Sequence, residues 1–198
     1  MKRSISHRLM FALAGVFILS GMGMAAEFTA DLIQTGPKTL NKGKLYVKGG
    51  KIRQEVTEGS KFIVIDRPDK DLTWIMNPKY KTYMKVTDAI IRGIDDPRAW
   101  ERFKDVGKAL PATKATINGY SCTKRSWVLG KGKLQKTLTE WKSDKLNFVI
   151  RRQKKELAST WLIDYKNIKV GTVPDSVFEV PKGYQLVPTP VAPVKGEE

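Results

Sequence analysis

Residues Arg67–Met84 read RPDKDLTWIMNPKYKTYM, and this stretch decides the predicted fold. An apolar run, Phe62–Ile65, leads into a proline-containing turn, and a short segment, Leu72–Met76, follows it. A second turn at Asn77-Pro78 precedes a third short segment, Tyr80–Val86. Asp, Asn, Pro and Lys at the breaks, with β-branched and aromatic residues between them, are typical of consecutive antiparallel strands. The stretch therefore predicts a meander at the centre of a single β-sheet.

The same alternation of strands and turns extends to both sides of the meander. Gly49-Gly50 and Asn118-Gly119 are hairpin signals, because these residues accept the positive φ angles of tight turns. Phe62–Ile65 is apolar on both faces, which predicts a strand covered from both sides, with a helix and a ligand as the candidate covers. The further strands predicted are Glu27–Thr35, Thr39–Lys48, Lys51–Thr57, Lys114–Ile117, Tyr120–Leu129, Leu134–Lys142, Leu146–Arg152 and Leu157–Val170.

One helical segment interrupts the strands. Thr87–Ile94 can form a short helix, and Asp96-Pro97 supplies an N-cap acid followed by a proline at the first helical position. Trp100 and Phe103 then begin an apolar stripe at three- to four-residue spacing, which predicts an amphipathic helix that ends near Gly107–Pro111. Such stripes most often seal a protein core, and this is the alternative to a role against a ligand.

The first 25 residues are predicted to be a secretory signal peptide. A basic start precedes an apolar core of 11 residues, Leu9–Leu19, and Gly23-Met24-Ala25 places small residues where a signal peptidase reads them. An uncleaved anchor is the alternative, but this core is short for a membrane span of about 20 residues. Cleavage near Ala25-Ala26 predicts a periplasmic protein. It is not a lipoprotein, because the only cysteine, Cys122, is far from that site.

The rest of the chain is predicted to be one domain with a short tail. Residues 26–187 are long enough for a single core. Near their end, Val173–Tyr184 forms a closing piece in which Phe178 and Val180 are expected to be the last anchor. Residues 188–198 are rich in proline and then charged, which predicts a mobile tail.

The composition is strongly basic. The full chain has 36 Lys and Arg residues against 20 Asp and Glu residues, a formal charge of +16. Three of the basic residues and none of the acids lie in the predicted signal peptide, so the remainder still carries +13. This charge favours an anionic partner. After export, lipid headgroups or an acidic envelope protein fit better than nucleic acid, and a solubilising lysine-rich surface is the alternative.

Catalysis has little support in the sequence. The only histidine, His7, lies in the predicted signal peptide, so the exported chain lacks an imidazole base and the usual nitrogen ligand of zinc. Asp95-Asp96 is better explained as a helix start, and Asp69 and Asp71 as turn residues. Neither enzymatic activity nor a cofactor or metal is expected. Cys122 is expected to be a buried thiol, with a redox or intermolecular disulfide role as the alternative.

The remaining signal is a large set of aromatic and methionine side chains on predicted strands and on the helix. Together such residues adapt to flexible apolar ligands, although protein cores use the same residues. The residues predicted from strand alternation to line a ligand cavity are Trp74, Met76, Met84, Trp100, Phe103, Trp127, Trp141, Phe148 and Trp161.

Four phrases of the sequence carry a resemblance to a known family. They are EFTADLIQT, GKLYVKGGKIRQEV, RPDKDLTWIMNPKYKTYM and VPDSVFEVPKGYQLV, which lie between Glu27 and Val187. Together they resemble LolA-like periplasmic proteins, in particular the exported DUF4412-type branch. The resemblance implies a mainly β (α+β) fold, an incomplete, strongly curved antiparallel β-barrel with a short helical segment across its concave face. The helical segment Thr87–Leu110 is shorter than the several lid helices of the carriers LolA and LolB.

The resemblance also implies a function. In the lipoprotein carriers LolA and LolB the cavity holds acyl chains, whereas the related domain of RseB senses lipidic or misfolded envelope material. We therefore expect a monomeric periplasmic carrier or binding protein for a lipid or for lipoprotein acyl chains. Anionic membrane headgroups or an envelope protein are further expected partners. The alternative is an envelope interaction or stress-sensing module without transported cargo.

Overall fold

The structure, a computed structural model, describes residues 27–85 and 103–188. Three predictions lie outside these residues: the signal peptide, the helix starts at Thr87 and Asp96, and most of the Pro-rich tail. Residues 103–106 are α-helical, so the amphipathic helix ends at the early limit of the predicted range Gly107–Pro111, and Lys108–Ala109 already forms a strand. Within the two described ranges, no helix has the length and apolar character needed to cross a bilayer.

Within the described residues, thirteen strands form one sheet. Their bounds are β1 Phe28–Gly36, β2 Thr39–Lys48, β3 Lys51–Glu58, β4 Phe62–Arg67, β5 Leu72–Asn77, β6 Thr82–Lys85, β7 Lys108–Ala109, β8 Thr113–Ile117, β9 Tyr120–Leu129, β10 Lys136–Ser143, β11 Phe148–Glu156, β12 Ser159–Val170 and β13 Gln185–Leu186. The sheet order is β13-β6-β5-β4-β3-β2-β1-β12-β11-β10-β9-β7, with β8 also on β9. Neighbouring strands are antiparallel except β13 and β6. The sheet is open, because its order begins and ends at different strands.

The eleven strands predicted from the sequence are confirmed, with ends that shift by at most four residues. The two-residue strands β7 and β13 were not predicted, because a pair of residues is too short to show an alternation pattern. The alternation of β2 is also confirmed: Leu45 and Val47 are buried, and the lysines on either side of them point away from the core.

The sheet curls around an apolar cluster on one face, which we call the inner face. Val56 of β3 and Cys122 of β9 belong to this inner cluster, although six strand spacings, about 29 Å in a flat sheet, separate β3 from β9. Phe28 of β1 meets Phe148 of β11 edge to face, with ring centroids 5.3 Å apart. Only a strongly curved sheet brings these strands together. The buried members of the inner cluster are Phe28, Ala30, Leu32, Leu45, Val47, Val56, Cys122, Leu146, Ile150 and Tyr165.

The opposite, outer face of β4 and β5 is covered by a segment near the C-terminus, residues 173–184, which we call the C-terminal strap. Ile63, Ile65, Trp74 and Met76 form an outer cluster with Val173 and Phe178 of the strap. The apolar character of Phe62–Ile65 on both faces is thus explained by the protein itself, because Phe62 packs against the inner cluster. The predicted last anchor at Phe178 is confirmed, since this side chain is fully buried.

Basic side chains on three successive strands hold the strap in place. Lys48 of β2, Arg53 of β3 and Arg67 of β4 each donate a hydrogen bond to a strap carbonyl oxygen. These are the oxygens of Val173 at 3.0 Å, Val177 at 3.1 Å and Phe178 at 3.2 Å, respectively. The side chain of Arg67 is buried and also pairs with the Asp69 carboxylate at 2.7 Å and with Glu179. A buried guanidinium needs such partners, because an unpaired buried charge is strongly destabilising.

We expect the stability of the strap to depend on acid pH through these pairs. Hydrogen bonds from Arg67 lower the pKa of Asp69 to about 2 and hold the pKa of Glu179 below its usual value. Because both carboxyl groups titrate lower in the folded chain than in the unfolded chain, their stabilisation is present above about pH 4. It is lost as the pH falls toward 2. Urea unfolding at a series of pH values measures this loss.

The matched variants for this prediction are Arg67→Met and Lys70→Gln. Arg67→Met removes the shared cation, so we expect lower stability at neutral pH and a smaller further loss in acid. Lys70 pairs with Glu179 at 3.3 Å from an exposed position, and exposed pairs contribute little, so Lys70→Gln is expected to behave as the wild type. An acid response unchanged by Arg67→Met would contradict this explanation.

Gly43 marks the closest approach between two strands. The register of β2 on β3 shifts between Lys42 and Gly43, and a Cβ at position 43 would lie 1.9 Å from the carbonyl oxygen of Glu55. No side chain fits there without separating the strands. We expect Gly43→Ala to lower the free energy of unfolding by about 3 kcal/mol or more, the upper range for overpacking.

The control for this prediction is Gly132→Ala, which places a Cβ in open space at a residue with φ of +57°. Its cost is limited to the left-handed backbone, about 1–2 kcal/mol. Chemical denaturation of both variants tests the comparison. Similar losses of unfolding free energy in the two variants would show that the close contact at position 43 does not determine the cost of the substitution.

Candidate functional site

A pocket of about 170 Å³ opens where β4 begins, β5 ends and β6 begins. Val187 closes one side, because its N–H donates to the Tyr83 carbonyl oxygen at 2.9 Å beside the short parallel strand β13. Polar residues stand at the edge of the sheet and apolar residues lie deeper. The residues that line the pocket are Lys61, Phe62, Ile75, Met76, Asn77, Thr82, Tyr83, Met84 and Val187.

The apolar wall of this pocket continues the inner face. Ile75 of β5 pairs with Val64 of β4 on one side and with Met84 of β6 on the other. Phe62 is two residues from Val64 and therefore shares the same face. All four side chains are only half-buried, and Phe62 also packs against the inner cluster. An apolar strip thus runs from the inner cluster to the edge of the sheet.

A row of aromatic and basic side chains crosses β12, β11, β10 and β9. Lys154 of β11 lies between Trp161 of β12 and Leu138 of β10, and Leu138 pairs with Trp127 of β9. The Lys154 ammonium lies 4.9 Å from the ring centroid of Trp161, and Lys104 lies 5.4 Å from that of Trp127. These cation–π contacts keep the tryptophans against the sheet.

A buried carboxylate attaches the end of the helix to the sheet. Glu140 of β10 is 6% exposed, accepts a hydrogen bond from Arg152 at 2.7 Å, and pairs with Lys104 at 2.9 Å. Lys104 belongs to the helical residues 103–106, so this pair holds the helix end against β10. With two cations as partners, Glu140 is a structural carboxylate rather than an available base.

The predicted cavity-lining residues do not share one surface. Met76 and Met84 border the pocket, but Trp74 lies in the outer cluster under the C-terminal strap, and its indole N–H is buried without an acceptor in the described part of the chain. Trp127 and Trp161 belong to the aromatic row. Whether any of these residues contacts a ligand remains a prediction.

Three other members of the predicted set lie apart from the pocket. Phe148 fills the inner cluster and also packs against Tyr165, with ring centroids 5.8 Å apart. Trp141 packs against the same cluster beneath the Lys124 ammonium. Phe103 is half-buried in the helix end, and Trp100 lies outside the described residues.

Sequence reasoning missed several residues that line the pocket, including Lys61, Phe62, Ile75, Thr82 and Val187. A usable signal was present, because strand alternation places Ile75 opposite to Trp74 and Met76 on β5. The prediction instead selects the larger side chains of Trp74 and Met76, which belong to the outer cluster. Val187 had no local signal, since its position depends on the pairing of β13 with β6.

Cys122 lies inside the inner cluster. Its side chain is fully buried, and its Sγ donates to the Tyr120 carbonyl oxygen at 3.4 Å. Burial raises the pKa of the thiol, which lowers the fraction of reactive thiolate. Among residues 27–85 and 103–188, no group of three or more His, Cys, Asp or Glu side chains could hold a metal ion.

Comparisons with known proteins place the fold but not a function. No family model matches the chain, and no curated protein matches it. Among solved structures it is similar to MucB in complex with periplasmic MucA, at 8% identity and a TM-score of 0.51 over 84% of this chain. The Pseudomonas aeruginosa MucA/MucB complex matches at 10% identity and a TM-score of 0.52, also over 84%. The chain spans 58–59% of the length of these MucB chains.

A more distant match is a putative outer membrane lipoprotein-sorting protein domain from Vibrio parahaemolyticus, at 9% identity and a TM-score of 0.35. It covers 77% of this chain and 89% of that domain. The chain shares the fold of the MucB structures, and this likeness supports the LolA-like fold that the resemblance of its sequence predicted. Assignment to the DUF4412-type branch has no support from these matches and stays a prediction.

Proposed function

We propose that this protein works in the bacterial envelope and binds the end of an acyl chain in the pocket between β4, β5 and β6. The observation that carries the proposal is the half-buried apolar strip of Phe62, Ile75 and Met84, which ends in an opening at the sheet edge. Lys61 stands at that opening, where it can meet a carboxylate or phosphate headgroup. A binding role fits these residues better than catalysis, because the chain beyond His7 contains no histidine.

The size of the pocket limits the proposed ligand. A volume of about 170 Å³ is below the usual range of about 300–1,000 Å³ for drug-sized ligands. Phe148, Ile150 and Tyr165 already occupy the inner face farther along the sheet. The pocket therefore suits the terminal part of one chain rather than a whole lipid.

We expect fatty acids to bind with a length dependence that reaches a plateau early. Burial of each CH₂ group contributes about 0.8 kcal/mol, so each added pair of carbons is expected to tighten binding about 15-fold until the pocket is full. Further carbons remain in water and add little. Competition of a homologous series of fatty acids against a fluorescent fatty acid measures the dependence.

The matched variants for this experiment are Ile75→Trp, which fills the pocket, and Val170→Trp, which adds the same side chain at an exposed position at the end of β12. Ile75→Trp is expected to weaken binding at least tenfold, while Val170→Trp leaves it unchanged. A flat dependence on chain length, or equal effects of both variants, would count against the proposal.

The second candidate function is binding of another envelope protein. Its support is the likeness to MucB, which one solved structure contains in complex with periplasmic MucA. Because this likeness shows the fold alone, it does not identify the partner of this chain. Crosslinking in cells tests the candidate: it predicts one defined protein adduct that persists in Ile75→Trp. Loss of the adduct in that variant would favour the acyl-chain proposal.

A further inference from the structure

Five hairpin connections lie along one edge of the sheet. Because neighbouring strands are antiparallel, alternate connections fall on the same edge. The connections β1–β2, β3–β4, β5–β6, β9–β10 and β11–β12 therefore share an edge, and the connections that contain Gly49-Gly50 and Asp69 lie on the opposite edge. We call residues 37–40, 59–61, 78–81, 130–135 and 157–158 the hairpin rim.

The hairpin rim is strongly basic. It contains six lysines and no acid, and all six lysines are exposed: Lys38, Lys61, Lys79, Lys81, Lys131 and Lys133. None of them forms an ion pair with a residue in the described ranges. Connections on the opposite edge contain two lysines and three aspartates, Lys70, Lys145, Asp69, Asp71 and Asp144. Among the described connections, those on the rim edge are thus more basic than those on the opposite edge, although Glu58 and Glu156 directly flank the rim.

The same rim exposes large apolar side chains. Leu40, Tyr80, Leu134 and Leu157 are each more than half exposed, with Leu134 and Leu157 at 73% and 75%. Each lies in a different hairpin, and the Lys79 ammonium lies 5.1 Å from the ring centroid of Tyr80. Single exposed leucines are ordinary, but four hairpins on one edge each carrying one are a surface pattern.

The backbone of Leu157 has an unusual conformation. It has a φ of +47°, in the left-handed region that glycine and asparagine favour and leucine avoids. The leucine side chain gains no burial in return, because it points into solvent. The two-residue turn between β11 and β12 requires a positive φ, but glycine or asparagine would adopt it at lower cost. The presence of an exposed leucine at this position agrees with a role for its side chain outside the folded core.

We propose that the hairpin rim is a docking surface for an anionic lipid bilayer. The lysines approach the headgroups, and Leu40, Tyr80, Leu134 and Leu157 enter the interfacial layer, as aromatic and leucine side chains beside lysines do on peripheral membrane proteins. The pocket opens at the same edge, through Lys61, Asn77 and Thr82. The docking surface does not depend on the proposed acyl-chain function, since it requires only the rim.

The experiment measures co-sedimentation of the exported chain, purified from the periplasm of a bacterial host, with vesicles. One set contains phosphatidylcholine with one third phosphatidylglycerol, and the other contains phosphatidylcholine alone. All variants share the same N-terminus, so differences between them report on the rim. Wild type is expected to bind the anionic vesicles and to lose binding as salt rises, because surface attraction is screened.

Two rim variants separate charge from insertion. Lys38→Gln/Lys79→Gln/Lys133→Gln is expected to weaken partitioning on the order of 100-fold, because each lysine near an anionic surface contributes about fivefold. Leu134→Ser/Leu157→Asn keeps the charge and is expected to weaken it about tenfold by removing buried apolar area. Asparagine accepts the positive φ at position 157, so this variant is expected to stay folded.

The controls lie on the opposite edge. Lys142→Gln/Lys145→Gln/Lys169→Gln removes the same charge, and Val170→Ser removes an exposed apolar side chain; both are expected to bind as the wild type. Equal losses in the rim and opposite-edge charge variants would overturn the proposal, because binding would then follow net charge. Wild-type binding by the leucine variant would also overturn it, especially if polyglutamate displaces the vesicles, since the rim would then be a site for an acidic polypeptide.

Discussion

The whole structure depends on covering both faces of one apolar sheet. The inner face of β1–β3 is covered because the sheet curls until Phe148 and Ile150 of β11 meet Phe28 of β1. The outer face of β4 and β5 is covered by the C-terminal strap, which is held by cations of β2, β3 and β4. Within the described residues the helix is limited to 103–106, and curvature and strap together supply the cover of the two faces.

This arrangement explains where the pocket remains. Curling fills the middle of the inner face with the side chains of the protein itself, including Leu32, Leu45 and Tyr165. Toward β6 the sheet extends past the curl, and the side chains of Ile75 and Met84 stay half-buried. The pocket therefore lies at the β6 end of the sheet, where the inner face is only partly covered, rather than in the middle of that face.

Much of the fold could be predicted from the sequence, and the site could be predicted less well. Both ends of β9 are predicted correctly, because Asn118-Gly119 and Gly130 mark the turns on either side of the strand. The strap was recognised as an anchor through Phe178, but its position over β4 and β5 depends on contacts between residues more than a hundred positions apart. Local periodicity contains no information about such contacts. For the same reason the tryptophan at position 74 was assigned to a ligand cavity instead of the outer cluster.

The single thiol, Cys122, can report how often the sheet opens. Cys122 of β9 lies in the cluster that joins β9 and β11 to β1–β3, and its side chain is fully buried. A water-soluble maleimide reaches it only when β9 separates from the strands around Phe28. The rate of its alkylation under native conditions therefore reads out how often the sheet uncurls, without any added label.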